Sequence, residues 1–276
     1  MWTLTGFADE ISPDLTEQLD TLSEESIRHL ELRSVWNKNV LDLTDDELKQ
    51  VKTAISECGV GVSSIGSPIG KVPIVEDFAP HLERFRRALQ AAKVMETRYV
   101  RVFSFFMPED DDPDIYRDEV LERMGALASE AEDAGITLLH ENEKEIYGDT
   151  PSRCLDILTQ VNSPALRAAW DAANFVQCGV DRPFTEGYEE LRPFIEYVHV
   201  KDAMAGCGQV VPAGEGDGEL SETISALRDS GFDGFFSLEP HLAEAGTYSG
   251  FSGPDLFKKA SRAFKELLRK QEVEWR

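Results

Sequence analysis

The sequence predicts a single (βα)8 TIM barrel, an α/β domain spanning residues 1–276. Three observations carry this reading. Short apolar runs alternate with helical stretches along the whole chain, and strict alternation implies parallel strands joined by helical crossovers. The 276 residues divide into eight such units of about 34, the size of one βα repeat in a closed barrel. No GxGxxG follows the first apolar run and no GxxxxGK[ST] occurs anywhere, so the open nucleotide-binding sheets lack their usual mark.

Each element follows from local chemistry. Thr3–Phe7 is a short apolar start, and Asp14–Leu22 places Leu15, Leu19 and Leu22 at helical spacing. His29–Ser34 alternates and reads as a strand. Thr44–Glu57 opens with a capping box, Thr44 three residues before Glu47, and carries Leu48, Val51 and Ile55 on one face. Gly59 stops that helix, and Val60–Ile65 is the next strand. The helix Phe78–Lys93 leads to the strand Arg98–Phe103, and the helix Ile115–Ala134, ended by Gly135, leads to the strand Ile136–Glu141. Ser152–Val161 is helical, Arg167–Asp171 a strand, Tyr188–Leu191 a short helix and Ile195–Val200 a strand. The helix Leu220–Ser230, the strand Gly234–Glu239 and the helix Pro254–Gln271 complete the set. The longest irregular stretches are Gly66–Pro73, Met107–Asp114 and Ala203–Gly218; as βα loops they are candidate walls or lids of a site.

Composition narrows the function. Hydrophobic residues are 41% and charged residues 29% of the chain, as in globular proteins. Acidic residues outnumber basic ones 52 to 28, for a net charge of −24. Such a body repels phosphate backbones and anionic lipid, so neither nucleic acid nor membrane is an expected partner. No run of about 18 apolar residues exists, and the start MWTLTGFADEIS has no basic n-region or long apolar core. Cys58, Cys154, Cys178 and Cys207 are widely spaced and form no CxxC. They read as reduced thiols, and a cytoplasmic location is the expectation.

Four consecutive strands end in a residue able to ligate a metal: Glu141, Asp171, His199 and Glu239, at intervals of 30, 28 and 40 residues. In a barrel these strand ends converge on one pocket. One such residue carries little weight, since a strand-end Glu is usually a surface residue and a His in YVHV is usually core. Four in a row, each in an apolar context (LLHEN, AAWDAAN, YVHVKDA, FSLEPH), point to a shared ion. Three carboxylates and an imidazole suit Mn²⁺, Mg²⁺ or Co²⁺ with positions left for substrate. Without a cation, so many carboxylates would repel one another. Glu143 is the rival to Glu141, and its place beyond the apolar run suits a loop residue that hydrogen-bonds substrate or backbone.

Over nearly its whole length the chain resembles the xylose-isomerase-like barrel superfamily of sugar isomerases and epimerases. The resemblance is strongest in HENEKEIYGDT (140–150), WDAANFVQCG (170–179), YVHVKDA (197–203), PAGEGDG (212–218) and FFSLEPH (235–241). GFADEIS and ELRSVWNKNVLDLTDDE (31–47) resemble a subgroup described as sugar phosphate isomerases/epimerases. Members include ketose 3-epimerases, hydroxypyruvate isomerase, inosose dehydratase and isomerase, and an endonuclease that cleaves abasic DNA. The resemblance implies one divalent ion, Mn²⁺ first with Mg²⁺, Co²⁺ or Zn²⁺ as alternatives, on Glu141, Asp171, His199 and Glu239. It also implies that Glu141 and Glu239 are the acid/base pair on opposite faces of the substrate. Two departures stand out. Asn174 occupies a place where many members have His, and it cannot titrate near neutrality. Lys201 and Asp202 stand near the place of an epimerase Arg, so Lys201 is a candidate for an anionic or polyhydroxyl group or for an ion pair with Asp202 or another neighbour.

The implied chemistry removes a proton beside a carbonyl through a cis-enediolate. Return of the proton to the same carbon gives epimerisation, return to the neighbouring carbon isomerisation, and loss of a β-hydroxyl a dehydratase or lyase outcome on a keto-sugar or inosose. Substrate-binding candidates are Asn174, Lys201, Glu143, Glu31, Arg33 and His241. Glu31 and Arg33 share a side of one strand, either as a sugar-touching ion pair or as a barrel salt bridge. Trp36, Phe103, Phe105 and Phe106 are wall or packing aromatics, His140 faces the helices, and Glu215 sits in a tight turn. An abasic-site endonuclease would need more His than the five present and a less acidic body. A metal-free sugar- or protein-binding barrel would leave the quartet unexplained. The loops after strands seven and eight, AMAGCGQVVPAGEGDG and HLAEAGTYSG, hold no basic cluster, with Lys201 the only cation near them. That favours a sugar or keto-sugar without phosphate. Relatives commonly form homo-oligomers.

Overall fold

A computed structural model describes residues 1–245 and 250–276; the segment 246–249 of the strand-eight loop lies outside the described residues. Eight parallel strands of four to six residues roll into a barrel: β1 (Thr3–Gly6), β2 (His29–Leu32), β3 (Gly61–Ile65), β4 (Tyr99–Val102), β5 (Thr137–Glu141), β6 (Leu166–Asp171), β7 (Ile195–Val200) and β8 (Phe235–Leu238). From β2 to β8 each strand pairs with the next in the chain, and β8 pairs with β1. This is the order that alternating βα units predict.

The seam between β1 and β2 closes differently. At its upper end a single bridge joins Phe7 to Glu31. At its lower end the chain's own last residues lie alongside β1: Leu4 donates its N–H to the Arg276 carbonyl and Arg276 donates back to Trp2, both at 2.9 Å. Two register shifts break the regular ladders, one between Leu30 and Glu31 against β3, the other between Ala168 and Ala169 against β7. In each the unpaired residue lies on the partner strand, Ser63 of β3 and Glu196 of β7, and a bulge bends the strand that carries it.

Alternation along the strands sorts the two faces. Leu138, His140, Trp170 and Val198 point toward the helices, whereas Leu139, Glu141, Tyr197 and His199 point into the barrel. The outer layer is apolar, with Leu30, Val100, Leu138, Trp170, Val198 and Phe236 all buried in one cluster with the helices. The inner layer is small and mixed: Tyr99, Leu139, Ala169 and Tyr197 pack with Phe235 below a polar upper half. The helices are as amphipathic as expected; Leu48, Val51 and Ile55 of Asp45–Glu57 are buried, and the Thr44–Glu47 capping box forms. Asp14 caps the helix Leu15–Glu24, and Gly135 ends Arg117–Ala134 at φ 70°.

Several boundaries differ from the sequence reading. β2 stops at Leu32, because Ser34–Val35 and Lys38–Asn39 form a hairpin around Trp36 and Asn37, at φ 55° and 58°. A helix, Ala172–Gln177, follows β6 at once, capped by Asp171. The Tyr188–Leu191 region is a π-helical turn, Phe184–Tyr188, followed by Glu189–Leu191. β8 ends at Leu238, leaving Glu239 as the first residue beyond it. All four cysteines are free, and among the described residues no helix is long and apolar enough to cross a membrane.

Candidate metal and active site

Four side chains from β5, β6, β7 and the end of β8 meet at the C-terminal mouth of the barrel. Each of Glu141, Asp171, His199 and Glu239 offers one ligand atom, and these atoms lie within 4.8 Å of one another. That is the span across an ion whose bonds to oxygen and nitrogen are about 2.0–2.4 Å. All four are at most 3% exposed. Two of their atoms, His199 Nδ1 and Asp171 Oδ2, meet only charged side chains of the same cluster, Glu141 at 3.3 Å and Lys201 at 3.0 Å. Three carboxylates and one imidazole within this span are the donor set of an oxygen- and nitrogen-seeking cation, which fits the site by its chemistry.

The surroundings correct one expectation. Carboxylate repulsion is relieved by permanent side-chain cations and does not by itself demand an ion. Lys201 Nζ is 3.0 Å from both Asp171 Oδ2 and Glu239 Oε2. Arg33 Nη1 is 3.0 Å from Glu239 Oε1, and Arg101 Nη1 is 3.1 Å from Glu141 Oε2 and 3.8 Å from Glu239 Oε1. Lys201 is therefore not the only cation near the site. Two guanidiniums reach it from the opposite half of the barrel. Both stack on Phe7, with Cζ 4.3 Å and 4.7 Å from the ring centre, and the edge of the same ring meets His199.

These contacts set the protonation states. Burial raises the Glu141 carboxyl, but His199 and Arg101 outweigh it and hold the group down at about 2. Glu239 is likewise held well below the usual range, against burial, by Lys201, His241 and His199. Asp171 goes the other way: burial lifts it to about 6 although Lys201 opposes. Burial disfavours a charged His199, yet Glu141 and Glu31 on its two sides hold it up at about 10. The pocket thus favours positive charge at the imidazole, and both glutamates are ionised at neutral pH.

The remaining candidates find these places. Asn174 Nδ2 donates to Glu141 Oε1 at 3.1 Å and to the Asn142 carbonyl at 2.9 Å, fixing the ligand carboxylate. Glu143 lies in the loop after β5, as expected, and pairs with Lys71 at 3.0 Å. Glu31 and Arg33 both point to the site, but they do not form the anticipated pair. Glu31 bonds Tyr197 and His199, while Arg33 bonds Asp9 and Glu239. His241 stands behind the ligands, 3.4 Å from Glu239 Oε1 and 3.1 Å from Glu10 Oε1. Lys201 does not pair with Asp202. Asp202 instead accepts backbone N–H groups from Gly214, Gly216 and Gly218 at 2.8–3.1 Å, tying down the loop that contains GEGDG. Glu215 is exposed in that loop, as a plain turn residue. His140 is buried on the helix side, and burial lowers it to about 4. Phe103 lies under Lys71 and Arg101, Phe105 packs on Phe78 and His81, Phe106 is half-buried, and Trp36 is 37% exposed at the hairpin tip.

Sequence reasoning missed Arg101, Lys71, Asp9, Glu10 and Tyr197. Arg101 was within reach, since it is a cation between Val100 and Val102 in the middle of the strand RYVRVF, on the same side as Tyr99 and Phe103. Lys71 sits in a loop and Glu10 in a three-residue 3₁₀ turn, Ala8–Glu10, where only the fold brings them near. Beside the site, the loops after β4 and β5 enclose a cleft of about 670 Å³ lined by Phe106, Met107, Glu109, Glu145, Ile146 and Asp149 among others.

A family model described as xylose isomerase-like TIM barrel matches residues 21–267. The chain is similar to a 2-epi-5-epi-valiolone 7-phosphate 2-epimerase of Actinoplanes sp., 35% identical over 101 residues, which is 36% of this chain and 35% of that one. The curated relatives are matched over only part of their length, 56% for one and 35% for the other. In fold the chain is similar to the IOLI protein solved with a bound zinc atom, at TM-score 0.78 and 17% identity over 98% of this chain and 99% of that one. It is similar also to the probable 3-DHS dehydratase of Bacillus anthracis involved in petrobactin synthesis, at TM-score 0.73 and 20% identity over 96% and 98%.

Proposed function

Because the chain belongs to the xylose isomerase-like TIM barrel family, we propose that it is a divalent-metal-dependent sugar isomerase or epimerase. The observation that carries this reading is the convergence of Glu141, Asp171, His199 and Glu239, each offering a ligand atom within 4.8 Å of the others. The curated epimerase relative supports the reaction class. The substrate class is a sugar or keto-sugar. Mn²⁺ is the first choice of ion, and the zinc in the structurally similar IOLI protein keeps Zn²⁺ beside it.

Glu141, Asp171, His199 and Glu239 would hold the ion. When bound, a divalent ion supplies electrophilic pull on oxygens of the substrate and so makes the adjacent carbon acid easier to ionise. The protein supplies the rest. Glu141 and Glu239 are ionised at neutral pH, so either carboxylate can take a proton from carbon and the other, once protonated, can return one. Arg101 lies within 3.8 Å of both carboxylates, and its fixed charge stabilises negative charge that develops between them. Lys201 gives the same support from the Asp171 side. Burial of the whole group excludes bulk water and strengthens these interactions.

The test is metal content of purified protein, then chelation and reloading with Mn²⁺, Mg²⁺, Co²⁺ or Zn²⁺, run beside a solvent-deuterium exchange screen over ketoses, inososes and keto-glycosides. About one equivalent of metal and metal-dependent exchange at a carbon beside a carbonyl are expected. No metal affinity under any of these ions would end this reading. Loss of a β-hydroxyl in place of exchange would assign a dehydratase.

A further inference from the structure

One contact to His199 comes from outside the quartet. His199 Nε2 lies 3.2 Å from Glu31 Oε2, and Tyr197 donates its hydroxyl to the same oxygen at 3.0 Å. Glu31 is 1% exposed and His199 is fully buried, so no solvent competes for this hydrogen bond. The other ring nitrogen, Nδ1, faces the carboxylates, 3.3 Å from Glu141 Oε1. Neighbouring rings hold the imidazole plane: Phe7 meets it at 5.2 Å and 65°, Tyr197 at 5.7 Å and 87°.

The backbone holds Glu31 in turn. Alternation along β2 turns its side chain into the barrel, opposite to Leu30 and Leu32, and the bridge to Phe7 and the register shift against β3 flank it where the seam closes. Ser63, skipped by that shift, bonds the Tyr197 hydroxyl at 2.9 Å, and Thr5 bonds Ser63 at 2.8 Å. Thr5, Ser63, Tyr197, Glu31 and His199 thus form one buried chain of hydrogen bonds from the middle of the barrel to the quartet.

We propose that Glu31 is a positioning residue that keeps the His199 proton on Nε2 and so presents the Nδ1 lone pair to the quartet. A histidine can ligate through only one nitrogen if the other carries its proton, and a carboxylate on the far nitrogen fixes which is which and raises the basicity of the ligating one. The role rests on the metal reading above and concerns affinity for the ion, not contact with substrate.

The experiment is Co²⁺ and Zn²⁺ titration of chelated wild type, Glu31→Gln and Tyr197→Phe, by calorimetry and by the visible absorption of the cobalt form. Glu31→Gln is expected to lose 10- to 100-fold in affinity and to shift the cobalt spectrum, while its unfolding midpoint in chelator stays near that of wild type. Tyr197→Phe should lose less, since Glu31 remains. Should Glu31→Gln fail to fold, Glu31→Asp keeps the charge and withdraws the oxygen, and the same loss is expected. Equal affinity and an unchanged spectrum in the folded variant overturn this role and leave the quartet standing. A wild type that binds neither ion overturns the metal reading and this role with it.

Discussion

Arg101 Nη1 lies 3.1 Å from Glu141 Oε2, and both side chains are at most 3% exposed. Breaking a buried pair strands a charge. Arg101→Met is expected to lower the unfolding free energy by about 3–5 kcal/mol. The double variant Arg101→Met, Glu141→Gln should recover part of that loss. Urea unfolding of the four proteins gives the coupling energy, and strictly additive losses would show that the two groups do not depend on each other.

Asp202 anchors the loop 212–218 beside Asp217, whose N–H donates to the Ala203 carbonyl and whose Oδ2 accepts the Ala205 N–H. Asp202 accepts three glycine N–H bonds, and a Cβ on Gly216 would lie 2.4 Å from its Oδ1 and 2.6 Å from the Ala203 carbonyl. Asp202→Ala is expected to cost about 2–4 kcal/mol from the stranded donors and to open this loop to protease. Cleavage mapped by mass spectrometry should move to residues 204–218. A digestion pattern like that of wild type would mean that the loop is held by something else.

His81 makes stability depend on pH. Its Nε2 accepts the Gly70 N–H at 2.8 Å, which needs a neutral ring. Burial, with Arg84 and Arg123 adding, lowers it from 6.5 to about 4. A depressed histidine contributes stability above its unfolded value, and that contribution is lost as pH falls from 6.5 toward 4. The wild type should lose roughly 2 kcal/mol from this group between pH 7 and 4.5. His81→Gln should lack that part of the slope, because an amide oxygen can accept the same N–H at either pH. Denaturation midpoints at the two pH values decide the matter.

Removing residues 274–276 should unzip the lower seam. Trp2 loses its bridge to Trp275, and β1 loses its bonds to Glu274 and Arg276. At about 1 kcal/mol for each backbone bond, a loss of about 2–4 kcal/mol is expected, read as a lower thermal midpoint. Hydrogen exchange should speed up in Trp2–Leu4 before it does in β5 or β6.

Much of this arrangement was legible in the sequence. Glu141 and Asp171 each end an apolar strand, His199 is the next-to-last residue of one, and Glu239 stands one residue past one, so alternation and barrel geometry together place them at one mouth. The missed features share a physical cause. The hairpin around Trp36 and Asn37 lacks the glycine that usually marks such a turn. The helix Ala172–Gln177 is six residues long and buried almost throughout, so it continues the apolar run of β6 with no change of period. Asp9 and Glu10 sit in a three-residue 3₁₀ turn and Lys71 in a loop, and no periodicity encodes the path of either. The bulge at Ser63 depends on the pairing of β2 with β3, a fact about two distant segments at once.

The closing of the lower seam by residues 274–276 has a topological consequence. The two ends of the chain run side by side at the base of the barrel, opposite the mouth that holds the quartet. A short linker can therefore join Arg276 to Met1 without crossing the substrate's approach, and new ends can be cut in a basal turn such as Ser230–Asp233. Circular permutants of this kind should keep the ligand geometry.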